Sequence, residues 1–197
     1  AICGTRENFD FTNATVMNHF LDAHKEVNTI IHCGALVSPP KVNEKVDEAI
    51  QTNIIGTALL SSICFQRGIK LVYISTDYVF SGEKGNYCEQ DELLPQNKYA
   101  WSKLGGEAAV QMLDNFIIIR LSFGPDLFPY KAAFIDQYTS RETASSIVKK
   151  IKKVVLSDFK GVIHVGAERN GSSSCCKQCH AIRWIDIPLL TPFDSAL

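Results

Sequence analysis

What this sequence lacks narrows its possibilities before any motif is read. No apolar run approaches the roughly 18 residues that a membrane-spanning helix needs, and the opening residues carry no signal-peptide pattern. The expectation is therefore a cytoplasmic protein with no membrane partner. An excess of one charge is also missing. Lysine and arginine number 20 against 21 aspartate and glutamate, which removes the electrostatic ground for a nucleic acid polymer as partner. Cysteine is not scarce, but its seven copies are odd in number and the chain shows no export signal, so reduced thiols are expected. Cys3, Cys33 and Cys64 lie in or beside apolar runs, where a thiol behaves as a small buried hydrophobe. Near the end, Cys176-x-x-Cys179-His180 matches a haem-attachment spacing in form. A structural metal would want four ligands, no second Cys/His pair follows, and no metal site is expected.

What is present is a 197-residue chain, 46% hydrophobic, with enough apolar content for one sizeable core. Its most informative stretch is 70–106. Residues 70–74 form a β-branched and aromatic run that reads as a buried parallel strand. Ser75, Thr76 and Asp77 stand at its carboxyl end, where ligands collect in open α/β sheets. After a polar loop, Tyr99 and Lys103 sit four apart in a predicted helix over 98–112, which places them on one face a turn apart. An ammonium there would favour the phenolate and lower the phenol's pKa, and Thr76 could hold the same substrate oxygen. Together the three suit carbonyl reduction or alcohol oxidation with a nicotinamide hydride. A solvated helix face is the plainer reading of a Tyr-x-x-x-Lys taken alone.

The order of strand, Ser-Thr-Asp, loop, Tyr-x-x-x-Lys, small-residue helix and second strand resembles the extended short-chain dehydrogenases/reductases. The segments Ser75-Thr76-Asp77-Tyr78-Val79-Phe80-Ser81-Gly82 and Tyr99-Ala100-Trp101-Ser102-Lys103-Leu104-Gly105-Gly106-Glu107 are similar to the dTDP-4-dehydrorhamnose reductase family, and the likeness runs from about residue 10 to 166. It implies a Rossmann-like, doubly wound parallel α/β sheet, with NADP or NAD as cofactor and a nucleotide sugar as substrate. By that resemblance Thr76, Tyr99 and Lys103 are catalytic. Asp10 and Phe11 lie near the adenine, Cys33, Gly34 and Ala35 lie against the cofactor, and Tyr99 and Lys103 contact it as well. Tyr78, Ser122 and Arg141 border the substrate. Asn53, in Asn-x-x-Gly-Thr, is structural. The resemblance also leaves room for a homodimer, for a nucleotide-sugar epimerase or dehydratase, and for a regulatory partner. The last would follow the β subunit of methionine adenosyltransferase, which keeps the fold without the catalysis.

One family feature is missing from residues 1–30: a glycine-rich turn to hold the pyrophosphate, since Cys3-Gly4-Thr5 offers a single glycine. The chain therefore reads as lacking the first strand and that turn, with an incomplete substrate lobe and activity in doubt. The expected division is a partial nucleotide-binding domain over 1–125, a partial substrate portion with the last strand over 126–170, and a divergent tail over 171–197. Around these, residues 1–5 read as a strand end, with a helix to 25, a strand over 27–32, a break at Ser38-Pro39-Pro40 and one long helix over 43–67. A strand over 116–121, an amphipathic helix over 142–156 with its lysines in water, and a strand over 161–166 follow. The acidic group Glu89-Gln90-Asp91-Glu92 reads as solvated, and His32 as a strand residue with a satisfied ring.

Overall fold

A computed structural model of the chain describes residues 2–127 and 140–166. Its centre is a four-stranded, all-parallel sheet in the order β1-β2-β3-β6. The strands are β1 (Thr29–His32), β2 (Lys70–Thr76), β3 (Phe116–Leu121) and β6 (Gly161–Val165). Side chains alternate across a strand, and here both faces are covered. Leu71, Tyr73 and Ile118 meet α1 (Ala14–Ala23), α4 (Thr57–Arg67) and α5 (Lys98–Val110) through Met17, Leu60 and Val110. On the opposite face Val72, Ile117 and Ile119 meet Ile147 of α6 (Ala144–Val155). That double burial is why β2 and β3 read as almost unbroken apolar runs. The expected doubly wound α/β sheet is the fold found.

Several boundaries differ from expectation for local reasons. Strand β2 continues to Thr76, and Ser75 and Thr76 pair with Arg120 and Leu121. Residues 2–5 form no strand; the Phe9 amide instead closes a turn on the Thr5 carbonyl at 2.7 Å. Asn13 caps α1 by accepting from the amides of Thr15 and Val16, and the helix stops at Ala23. Pro39-Pro40 does not break the chain but opens α2 (Pro39–Glu44), because proline is tolerated in a first turn whose amides have no partner anyway. The single helix expected over 43–67 is divided. After α2 come a short α3 (Val46–Ala49) and a π-helical stretch, Ile50–Gly56, before α4. Asn53 lies in that π stretch, fully buried. Such wide turns are uncommon and gather at functional sites.

Two short strands, β4 (Phe123–Gly124) and β5 (Glu142–Thr143), pair beside the sheet. Cys64 is buried as expected, whereas Cys3, which precedes the first element, and Cys33, just past the end of β1, are exposed. Among the described residues no helix is long and apolar enough to cross a membrane. Residues 128–139 of the expected substrate portion and the expected tail, with Cys176, Cys179 and His180, lie outside the described residues.

Candidate active site

Strand β2 delivers Thr76 to the carboxyl edge of the sheet, and helix α5 brings Tyr99 and Lys103 to the same place. Asn97 starts α5 by accepting from the Ala100 amide at 2.8 Å, which sets Tyr99 in the first turn. The Tyr99 phenol lies near enough to the Thr76 side chain for the hydroxyl to pull on its proton. Thr76 also donates to the Asp77 carboxylate at 3.3 Å and accepts from the Tyr78 amide at 3.2 Å. Tyr78 is half exposed and stands edge-on to Tyr99, ring centroids 6.2 Å apart. Burial pushes the Tyr99 phenol up to about 12, against the pull of the Thr76 hydrogen bond, with the charge of Asp77 adding to the rise.

Lys103 is buried, 3% exposed, and its ammonium lies 4.0 Å from the centre of the Tyr73 ring. This corrects the expectation that the ammonium acidifies the phenol. Burial dominates at both groups, bringing Lys103 down to about 7 against the opposing pull of Glu107 and Cys33. A phenol held neutral is a proton donor in waiting. Close approach of α5 to the sheet makes the seat. A Cβ on Gly106 would come within 2.9 Å of the Asn53 carbonyl oxygen and of Tyr73 Cζ, so only glycine fits there.

Asn53 fastens the neighbouring parts. Its oxygen accepts from the Leu36 amide at 2.7 Å, while its amide donates to the Leu36 carbonyl at 2.9 Å and to Ser102 Oγ at 2.8 Å. The loop after β1 is thereby tied to α5. That loop, Cys33-Gly34-Ala35, lines a cleft of about 960 Å³ together with Asp10, Phe11 and Thr12. The Phe11 ring lies on Gly34, where a Cβ would meet its ring carbons at about 3.0 Å, and stands edge-on to His32 at 4.5 Å. His32 is buried with Nε2 at 3.2 Å from Thr57 Oγ1, and burial holds its imidazole down to about 3. Asp10 accepts from the hydroxyl and amide of Thr12 at 2.7 and 2.9 Å, and those bonds hold its carboxyl below the usual range.

The structure thus brings Asp10, Phe11, Cys33, Gly34 and Ala35 to one cleft, and Thr76, Tyr78, Tyr99 and Lys103 to one strand end. Lys103 lies close enough to Cys33 for its charge to act on the thiol, which links the two groups. Ser122 and Arg141 meet at the β4–β5 pairing instead: the Ser122 carbonyl accepts from the Glu142 amide at 3.0 Å, and the Arg141 guanidinium packs on Gly124.

Sequence reasoning missed a buried polar network directly behind the site. Arg120 of β3 reaches Glu107 of α5 through Nε and Nη2, the shortest contact being 2.8 Å, and both are essentially without solvent. Glu107 accepts from the Ser75 hydroxyl as well. A lone arginine inside an apolar strand was the available signal, because a buried charge demands a partner. Glu89 is another correction. It is not solvated with its acidic neighbours: its backbone carbonyl accepts from Arg120 at 3.1 Å and its carboxylate from the His164 amide at 2.9 Å. Asp77 is half-buried, its carboxyl raised to about 6 by desolvation against hydrogen bonds from Ser140 and Thr76.

Comparison with known proteins places the fold. The model of the RmlD substrate-binding domain matches residues 1–124. The chain belongs to that family. It is 35% identical to the dTDP-4-dehydrorhamnose reductase of Sinorhizobium fredii over 192 residues, covering 85% of this chain and 64% of that protein. It is 38% identical to methionine adenosyltransferase 2 subunit beta of Rattus norvegicus over 92 residues, 47% of this chain and 28% of that one. Among solved structures, the Bacillus anthracis dTDP-4-dehydrorhamnose reductase in complex with NADP superposes with a TM-score of 0.76 at 26% identity, covering 84% of this chain and 65% of that one. In each case the chain spans less than two thirds of its relative.

Proposed function

We propose that this RmlD-family chain carries the catalytic face of an NAD(P)H-dependent reductase acting on the 4-keto group of a nucleotide-linked deoxysugar, as in dTDP-L-rhamnose formation. The observation that carries the reading is the meeting of Thr76 and Tyr99 at the carboxyl end of β2, with buried Lys103 one turn further along α5. Thr76 orients the ketone oxygen, and the neutral Tyr99 phenol gives that oxygen its proton as the alcohol forms. Lys103, already stripped of water, stands one turn along α5 to meet a cofactor ribose. Asp10, Phe11, Cys33, Gly34 and Ala35 fit the flat, partly apolar body of a dinucleotide. The small residues at Gly34 and Ala35 leave room for close approach, and the Asp10 carboxylate is fixed by Thr12 at the cleft wall. A nicotinamide bound there would supply the hydride. Tyr78, Ser122 and Arg141 form the sugar-nucleotide side, and a cytoplasmic setting suits both ligands.

The single carboxylate beside Thr76 favours reduction over dehydration. Asp77 is half-buried and bonded to Thr76 and Ser140, so it is spent on structure. The likeness to the methionine adenosyltransferase subunit favours one second reading, a regulatory chain that binds a partner protein. Incubation with NADPH and dTDP-4-dehydrorhamnose, following NADPH oxidation, separates the two. The reductase oxidises NADPH, and Tyr99→Phe lowers the rate about 10²–10⁴-fold with NADPH affinity kept. NADPH binding without turnover in the unaltered chain sinks the reductase and supports the regulator. Absence of both binding and turnover removes the reductase role from this chain.

A further inference from the structure

The loop of residues 81–97 joins the two halves of the candidate site. It leaves the strand end just after Tyr78 and returns at Asn97, the cap of α5. Midway along it, Glu89 is fixed twice: its carbonyl accepts from Arg120 of β3 at 3.1 Å, and Oε1 accepts from the backbone amide of His164 on β6 at 2.9 Å. Beneath this joint three buried polar atoms, Glu89 Oε2 and both ring nitrogens of His164, have no hydrogen-bond partner among the described residues, and the Tyr87 backbone also acts on the ring. The His164 side chain is wholly buried, with the Phe80 ring edge-on at 5.3 Å. Glu89 and Asp91 face the imidazole from the loop, and Arg120 faces it from β3. Native interiors rarely leave such atoms unsatisfied without a use for the site.

We propose that Glu89 is a positioning residue: it clamps the loop of residues 81–97 across β3 and β6, and through Arg120 it sets the Glu107–Ser75 contacts that hold Thr76 opposite Tyr99. The contacts form one unbroken line. His164 holds Glu89, Glu89 holds Arg120, Arg120 holds Glu107, and Glu107 holds Ser75, next to Thr76. Glu107 also stands one turn beyond Lys103 on α5. Release of Glu89 loosens the middle of the loop, whose ends stay anchored by the Leu94 amide on the Val79 carbonyl and by Tyr87 stacked on Phe80. Glu89 touches no reacting atom, so its effect on turnover rests on the reductase reading, whereas its effect on the loop does not.

Two variants of the full chain test this. Glu89→Ala removes the acceptor for the His164 amide, and Glu89→Gln keeps a carbonyl oxygen there. Amide hydrogen exchange over residues 81–97 should rise about tenfold in Glu89→Ala and stay near the unaltered rate in Glu89→Gln, as loss of one buried charge-assisted hydrogen bond predicts. The KM for dTDP-4-dehydrorhamnose should rise by about the same factor in Glu89→Ala alone, with NADPH affinity within about twofold. Unchanged exchange in Glu89→Ala, or equal damage from Gln and Ala, overturns the clamp. If the unaltered chain turns nothing over, the reductase reading falls and the exchange result still decides the clamp. Should Glu89→Ala not fold, Glu89→Asp, one methylene short of His164, replaces it with the same expected rise in exchange.

Discussion

Helix α5 buries two charges one turn apart and treats them in opposite ways. Glu107 is saturated: Arg120 grips it from one side and Ser75 from the other. Lys103 forms no ion pair among the described residues and rests over the Tyr73 ring. A buried charge with every lone pair used has nothing left to offer a ligand, and its removal strands a partner in a low dielectric. A buried ammonium with only a ring beneath it is destabilised on its own and gains when an acceptor arrives. The comparison separates a buried charge whose bonds are all made from one that has no ion-pair partner among the described residues.

The sharpest test breaks the saturated side. Glu107→Ala should destabilise the fold by about 3–5 kcal/mol by leaving Arg120 buried without its carboxylate, measured by urea unfolding. Replacing both members, Glu107→Leu with Arg120→Met, should return most of that loss; no recovery would mean the pair acts through packing rather than charge. A smaller effect is expected where α5 meets Tyr73. Gly106→Ala should cost about 1–3 kcal/mol through overpacking against Tyr73 and the Asn53 carbonyl, read from the same unfolding curves.

The side without an ion pair should respond in the opposite direction. Lys103→Met should leave stability unchanged or raise it by about 1 kcal/mol while abolishing NADPH-dependent reduction. A loss of several kcal/mol would place Lys103 among the structural charges. The same contrast has a pH signature. The Lys103 amine falls from 10.5 to about 7 on folding, so the unfolded chain binds its proton more tightly. Stability from this group is complete above the unfolded value and drains away as pH falls through about 7. Unfolding free energy should therefore climb between pH 7 and 10 in the unaltered chain, and this rise should shrink in Lys103→Met. His32 and His164 obey the same sign in acid: their imidazoles are depressed to about 3 and 4 by burial. Stability should fall as pH drops below 6.5, the smallest of these effects if the two rings gain water on protonation.

Much of this could be read along the chain. Strand β3 matched its expected bounds because its side chains enter both faces of the sheet, and a run of apolar residues admits few other readings. Thr76, Tyr99 and Lys103 were legible because strand ends and helix spacing are local rules. Glu89 and the divided helix were not. An acidic tetrad looks solvated until His164, distant in sequence, offers an amide to one member. Asn53, inside the π stretch, bonds Leu36 and Ser102, partners that no helical window along the sequence contains.

By itself the sequence determined the parallel α/β sheet, its helical crossovers and the order of the Thr76, Tyr99 and Lys103 side chains, since periodicity and strand-end position depend on neighbours a few residues away. Only the tertiary structure decided which buried charge is paired, where the Lys103 ammonium rests and how the loop over the site is fastened. Those outcomes depend on the dielectric and on partners tens of residues distant, and they exist only once the layers have closed.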